Sequence, residues 1–175
     1  MLSLLKTIFC TLHGNQSLME HHLAQANIAR FKARLDHPSM KEFVDFLEPV
    51  NRFAEASPGF IWRLTDADGR SASYIETPFK EEMMAVNLSL WSNMEDFKHF
   101  VYGTVHSYFL RNKKKWFVMD GTSQFIMWWL PAGELPSLQM AKEKLALHDV
   151  QGDSPDVFSI KNSFDALGNP IKTEI

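Results

Sequence analysis

The sequence predicts an α+β fold: a ferredoxin-like βαββαβ domain with one antiparallel four-stranded sheet, followed by an extra C-terminal helix and tail. Three observations predict it. The apolar periodicity switches along the chain in the order strand, helix, strand, strand, helix, strand. Two helices cover only one face of such a sheet, yet the strand segments carry bulky side chains on both sides, Trp62 beside Ile61 and Trp128 beside Trp129. With 175 residues, 45% apolar and 13% aromatic, the chain is long enough for one domain with a substantial core, in which 14 Phe and 5 Trp must be buried.

The first strand is 22–30 (HLAQANIAR), with small residues on one face and Leu23, Gln25 and Asn27 on the other. Pro38 opens a helix over 38–56, in which Met40, Phe43, Val44, Leu47, Val50 and Ala54 recur at helical spacing and Pro49 removes one hydrogen bond. Ser57-Pro58-Gly59 ends it. The second strand, 60–64 (FIWRL), leads into the turn Asp66-Ala67-Asp68-Gly69, and the third is 85–91 (AVNLSLW). Ser92-Asn93-Met94-Glu95 matches a capping box, which predicts a helix from about Asn93 towards Lys113. The fourth strand, 124–130 (QFIMWWL), stops at Pro131-Ala132-Gly133, and a third helix over 137–150 ends near Gly152. The sheet face that the two core helices leave open predicts a homodimer in which two sheets pair. The competing cover is the tail, whose residues Phe158, Ile160 and Phe164 can pack over a neighbouring surface. The domain organisation expected is a loosely attached extension over 1–20, one domain over 21–164, and a tail over 165–175.

Composition excludes several functions. Against 21 acidic residues stand 18 basic ones, so a net charge of -3 gives no global field for nucleic acid or anionic lipid. No stretch approaches the roughly 18 consecutive apolar residues of a spanning helix. Lys6 interrupts the apolar N-terminal run and no A-x-A-like cleavage site follows, so a signal segment is not expected. One cysteine, Cys10, agrees with a reducing cytoplasm and leaves no internal disulfide or multi-cysteine metal site. Neither Gly-x-Gly-x-x-Gly nor a Walker loop occurs, and there is no His-x-x-x-His pair for zinc.

The second core helix carries the candidate chemistry. At 100° per residue Phe97, Val101, Val105 and Tyr108 fall on one stripe, suited to the sheet, while Tyr102, His106 and Phe109 form another. A helix apolar on two sides is buried on two sides, so His106 faces an interior, a pocket or a subunit contact. It reads either as a buried neutral histidine bonded to a carbonyl or as an acid/base or metal-ligating group. Arg111 to Lys115 (RNKKK) reads as cations at a helix C-terminus or as a seat for an anionic group such as a propionate or phosphate. Asn27 and Asn87 sit on strands where they can point into the barrel, and Asp66 and Asp68 are turn formers.

The stretches HLAQANIAR (22–30), SPGFIWRL (57–64), VNLSLW (86–91), Phe100-Val101-Tyr102 with His106, Trp116-Phe117 and WWLPAG (128–133) resemble the uncharacterised bacterial domain-of-unknown-function family 3291, over about residues 21–164. That family is placed among the dimeric α+β barrel proteins, so the resemblance implies a dimeric barrel. The shorter pattern of Trp91, an acidic helix start, Phe100-x-Tyr102, His106, Arg111 and Trp116-Phe117 resembles the haem-containing, spheroidene monooxygenase-like branch of that superfamily. There the helical histidine ligates iron, which implies haem with His106 below the metal. Related small oxygenases use an Asn in the first strand, which implies a catalytic part for Asn27, although their full Asn, Trp, His spacing is missing.

Two function classes emerge. One is a haem-binding or monooxygenase-like enzyme acting on an apolar small molecule, with His106 and Asn27 catalytic and a pocket built from Trp62, Tyr102, Phe109, Trp128 and Arg111. The other is a non-catalytic homodimeric module, structural or binding a small ligand, in which the aromatics are core and His106 is merely satisfied.

Overall fold

Four strands, β1 (His21–Arg30), β2 (Phe60–Arg63), β3 (Met84–Trp91) and β4 (Gln124–Pro131), form one sheet in the order β2-β3-β1-β4, with every neighbouring pair antiparallel. Helix α1 (Lys41–Glu55) connects β1 to β2, and α2 (Met94–Gly103) and α3 (His106–Asn112) connect β3 to β4. This is the ferredoxin-like order, extended by α4 (Leu138–Gln151). The computed structural model describes residues 20–79, 83–121 and 124–171. The expected N-terminal extension, with Cys10, lies outside them except for Glu20.

Strand alternation sorts the side chains onto two faces. Leu23, Gln25 and Asn27 stand opposite Trp91, Ser89 and Asn87 of β3 and opposite Trp129, Met127 and Phe125 of β4. This inner face packs against Val50 and Ala54 of α1 and Met94, Phe97, Phe100 and Val101 of α2. Ala24, Ala26 and Ile28 project the other way, with Val86, Leu88, Leu90, Ile126 and Trp128. The small alanines of β1 leave room there for the Trp128 ring, which is fully buried.

That outer face is not left open. Ala141 and Leu145 of α4, together with Val157, pack onto it. Ser137 caps α4 by accepting from the Met140 amide, and Gly152, at φ 72°, ends it. The chain thus supplies its own cover, and the reason for expecting two sheets to pair falls away. The tail also folds back: Phe158 exchanges two backbone hydrogen bonds with Met127 at the free edge of β4, at 2.8 and 2.9 Å. Phe158, Ile160 and Phe164 then join the inner cluster, and Trp129 donates to the Phe164 carbonyl at 2.8 Å.

The helices depart from simple pattern in three places. A short 3-10 turn, Pro38–Met40, precedes α1, which then runs on through Pro49. The cap of α2 is Asn93 rather than Ser92: its side-chain oxygen accepts from the Asp96 amide at 2.9 Å, and its nitrogen donates to the Asp96 carboxylate at 2.7 Å. The predicted single helix towards Lys113 is broken, because Thr104 is extended at φ -125° and ψ -174°. Gly103 is a weak helix former, and the Thr104 hydroxyl donates to the Phe100 carbonyl while accepting from the His106 amide, replacing bonds that a continuous helix would make. In consequence Val105, expected on the sheet-facing stripe, is exposed, while Phe97 and Val101 stay buried. A third cluster, Phe31, Met40, Phe43 and Trp116, closes the far end of the domain. Among the described residues no helix is long and apolar enough to cross a membrane.

Candidate functional site

Between the inner face of the sheet and the helices lies a cavity of about 350 Å³. Its floor is polar. Gln25 donates through Nε2 to Asn87 Oδ1 at 2.9 Å and to Ser89 Oγ at 2.8 Å, and Trp91 donates through Nε1 to the same Ser89 oxygen at 2.9 Å. Ser89 therefore takes two hydrogen bonds and keeps its own hydrogen to give. Asn27 stands opposite Asn87 in the register and lines the same cavity, and both residues are exposed, so the cavity is open at this end of the sheet. The walls are apolar, from Val50, Phe97, Phe100, Phe109 and Phe125 among others. Tyr102, Leu110, Lys113 and Met119 are lining residues that are themselves exposed, and with Asn27 and Asn87 they mark the mouth.

The helix break decides which part of α3 reaches the cavity. His106 is the first residue of that short helix, and His106, Phe109 and Leu110, with Lys113 just past its end, line the cavity at the i, i+3, i+4, i+7 spacing of one face. Arg111 falls off that face and is exposed, so it takes no part. Burial pushes the His106 imidazole below its ordinary value, with a hydrogen bond to the Val101 carbonyl opposing the shift. The ring is neutral at pH 7, lies 5.1 Å from the Phe100 ring, and has a buried Nδ1 without a partner. A smaller lobe of about 110 Å³ continues between α1 and the sheet and shares Asn27, Asn51, Asn87 and His106 with the main cavity. The polar groups thus sit at the junction of two apolar spaces.

Of the residues singled out from the sequence, His106, Asn27, Tyr102 and Phe109 come together here. Trp62 and Trp128 do not. Trp128 is on the α4 side by strand alternation. Trp62 is there because the register of β2 against β3 shifts between Phe60 and Trp62: Phe60 pairs with Trp91 on the inner face, but Trp62 pairs with Leu90 on the outer one. The same bulge turns Arg63 inward, opposite Ser89.

The sequence pattern does not single out Arg63, Asn51 or Ser89. Asn51 lies on the sheet-facing side of α1, is 8% exposed, and has a buried Nδ2 with no partner. A visible signal exists for the floor, since Gln25, Asn27, Asn87 and Ser89 are polar residues of one parity in strands otherwise built for burial. Chemically the arrangement can hold the polar atoms of a guest, and His106 can accept a proton from it. Among the described residues no group of three or more His, Cys, Asp or Glu is placed to hold a metal ion.

Comparison with known proteins gives a family without an activity. The model of a family described as a domain of unknown function, DUF3291, matches residues 22–173. No curated protein matches the chain. The crystal structure of the NE2512 protein of unknown function from Nitrosomonas europaea is similar at 13% identity, covering 68% of this chain and 98% of that one with a TM-score of 0.46.

Proposed function

The chain belongs to the DUF3291 family of domains of unknown function, and from that premise we propose that it binds a small, mainly apolar molecule between the sheet and α1, α2 and α3. The observation that carries this reading is the convergence of Gln25, Asn27, Asn51, Asn87, Ser89 and His106 on a cavity whose lining is mainly aromatic and aliphatic. Such a cavity, apolar with a few placed polar groups, is the ordinary form of a small-molecule site, and about 350 Å³ is within the usual range. The neutral imidazole at the junction of the two lobes lets His106 take up a proton or a hydrogen bond from the guest.

Haem, which the local resemblance to haem-containing oxygenases implies, meets the residues only in part. An unpartnered Nδ1 and a carbonyl against the ring would suit His106 as a ligand to the iron. The volume does not: about 350 Å³ is near the lower end for drug-sized guests, and a porphyrin is larger than these. The residues fit a smaller guest better. A homodimer would use some surface other than the outer sheet face, and the exposed Phe46, Phe53 and Val105 on α1 and beside α3 supply apolar area for one.

The test is uptake of Nile red, a neutral apolar dye, by the purified full chain. Saturable uptake that is lost in Val50→Phe, a substitution that fills the cavity, supports the reading. Absence of saturable uptake, or equal uptake by Val50→Phe, overturns it. A Soret band on addition of haem, lost in His106→Ala, would replace it with the haem reading.

A further inference from the structure

We infer that the guest carries an anionic oxygen group, a carboxylate in the simplest case, on its apolar body, and that Arg63 and Asn51 receive that group. This rests on the binding reading above and adds the class of ligand.

Four observations carry it. First, the lining includes two cations, Arg63 and Lys113, and no Asp or Glu among the described residues. Second, the Arg63 guanidinium is engaged along one edge only. Its Nε donates to Glu55 Oε1 at 2.7 Å, while Nη1 is buried without a partner in a side chain only 12% exposed. A guanidinium cannot shed its proton, so its remaining donors need acceptors. Third, Asn51, whose buried Nδ2 has no partner, lines the same cavity from α1, one helical turn before the Glu55 that holds the guanidinium. The missing partners on both side chains are therefore acceptors. Fourth, Arg63 is in this position because of the bulge in β2, without which alternation from Phe60 would send it to the outer face. Bulges re-aim side chains in this way beside functional sites.

An alternative guest, a cation or a purely apolar molecule, leaves these donors unpaired. Oxygen acceptors on the guest satisfy them: one oxygen of a carboxylate can take a charge-assisted hydrogen bond from Nη1 and the other a bond from the Asn51 amide. Lys113, near the mouth end of the α3 face, adds attraction on the way in.

Displacement of Nile red from the full chain by octanoate, octanol and octylammonium separates this inference from the reading beneath it. Octanoate is expected to bind at least tenfold more tightly than octanol, with octylammonium weakest, and Arg63→Gln is expected to bring octanoate down to the level of octanol. Octanol that displaces the dye as well as octanoate does would overturn the anionic group while leaving the apolar site standing. Failure of all three to displace the dye, or of the dye to bind, overturns both. The comparison among the three compounds is made on the unaltered protein, so it holds even where Arg63→Gln fails to fold.

Discussion

The amide of His106 donates to the hydroxyl of Thr104 at 3.2 Å, and that hydroxyl donates in turn to the carbonyl of Phe100. One side chain thus closes α2, opens α3, and fixes where the imidazole stands.

Thr104→Val keeps the shape and removes both bonds. It is expected to destabilise the fold by about 1 kcal/mol, the usual scale for a lost cap, and to weaken dye binding, while Thr104→Ser restores both. Urea denaturation and a dye titration of the two variants check this. Loss of stability without loss of binding would show that the break does not set the position of His106.

The stability of the protein should depend on His106 in a defined pH window. Burial holds the folded imidazole below the ordinary value of 6.5, so between the two values the unfolded chain binds more protons than the folded one. The contribution is fully present above 6.5 and is lost as pH falls through that value towards the lowered one. Comparing wild type with His106→Gln by thermal melts from about pH 7.5 to about pH 5, the wild type is expected to lose more stability. Parallel curves would mean that the imidazole is accessible to water.

Ser89 takes hydrogen bonds from both Gln25 and Trp91. Ser89→Ala removes the acceptor of the Trp91 indole N–H and one of the two bonds of Gln25 Nε2, which keeps Asn87, and a loss of about 1–3 kcal/mol is expected in urea denaturation. Ser89→Thr, which retains the oxygen, should lose less. A near-neutral Ser89→Ala would show that water replaces the hydroxyl.

Much of the fold is legible in the sequence because β1, β3, β4 and α1 carry strong periodicity between turn residues such as Ser57-Pro58-Gly59 and Pro131-Ala132-Gly133. What is not legible depends on competition between local and distant bonds. Gly103-Thr104 carries a weak helix signal, but the break arises from how the Thr104 hydroxyl is used, which spacing does not reveal. The segment of α4 is readable as a helix, whereas its seat on the outer face is a tertiary fact that Ala141 and Leu145 reveal only when folded. His106 and Asn27 are recognisable as polar groups in apolar surroundings; Trp62 looks equally suitable until the bulge reverses its side. Arg63 and Asn51 resemble ordinary surface residues, since nothing in their neighbours announces the missing partners.

Leu145 tests whether α4 is an essential cover. It is 5% exposed against the outer face, so Leu145→Ala is expected to cost about 2–5 kcal/mol, as buried leucines do. Denaturant unfolding followed by sedimentation checks the consequence, because a loosened α4 uncovers Trp128 and should promote association. A variant as stable as wild type would mean that the outer face has another cover.

The sealing of one sheet surface by α4 and the opening of the other onto a cavity give β1 an unusual genetic signature. Substitutions at Ala24, Ala26 and Ile28 disturb the sealed surface, whereas those at Gln25, Asn27 and Ala29 alter what the cavity touches. In a saturation scan scored separately for abundance and for ligand retention, the two phenotypes would alternate residue by residue along this strand, so that the pleat itself becomes readable from cells.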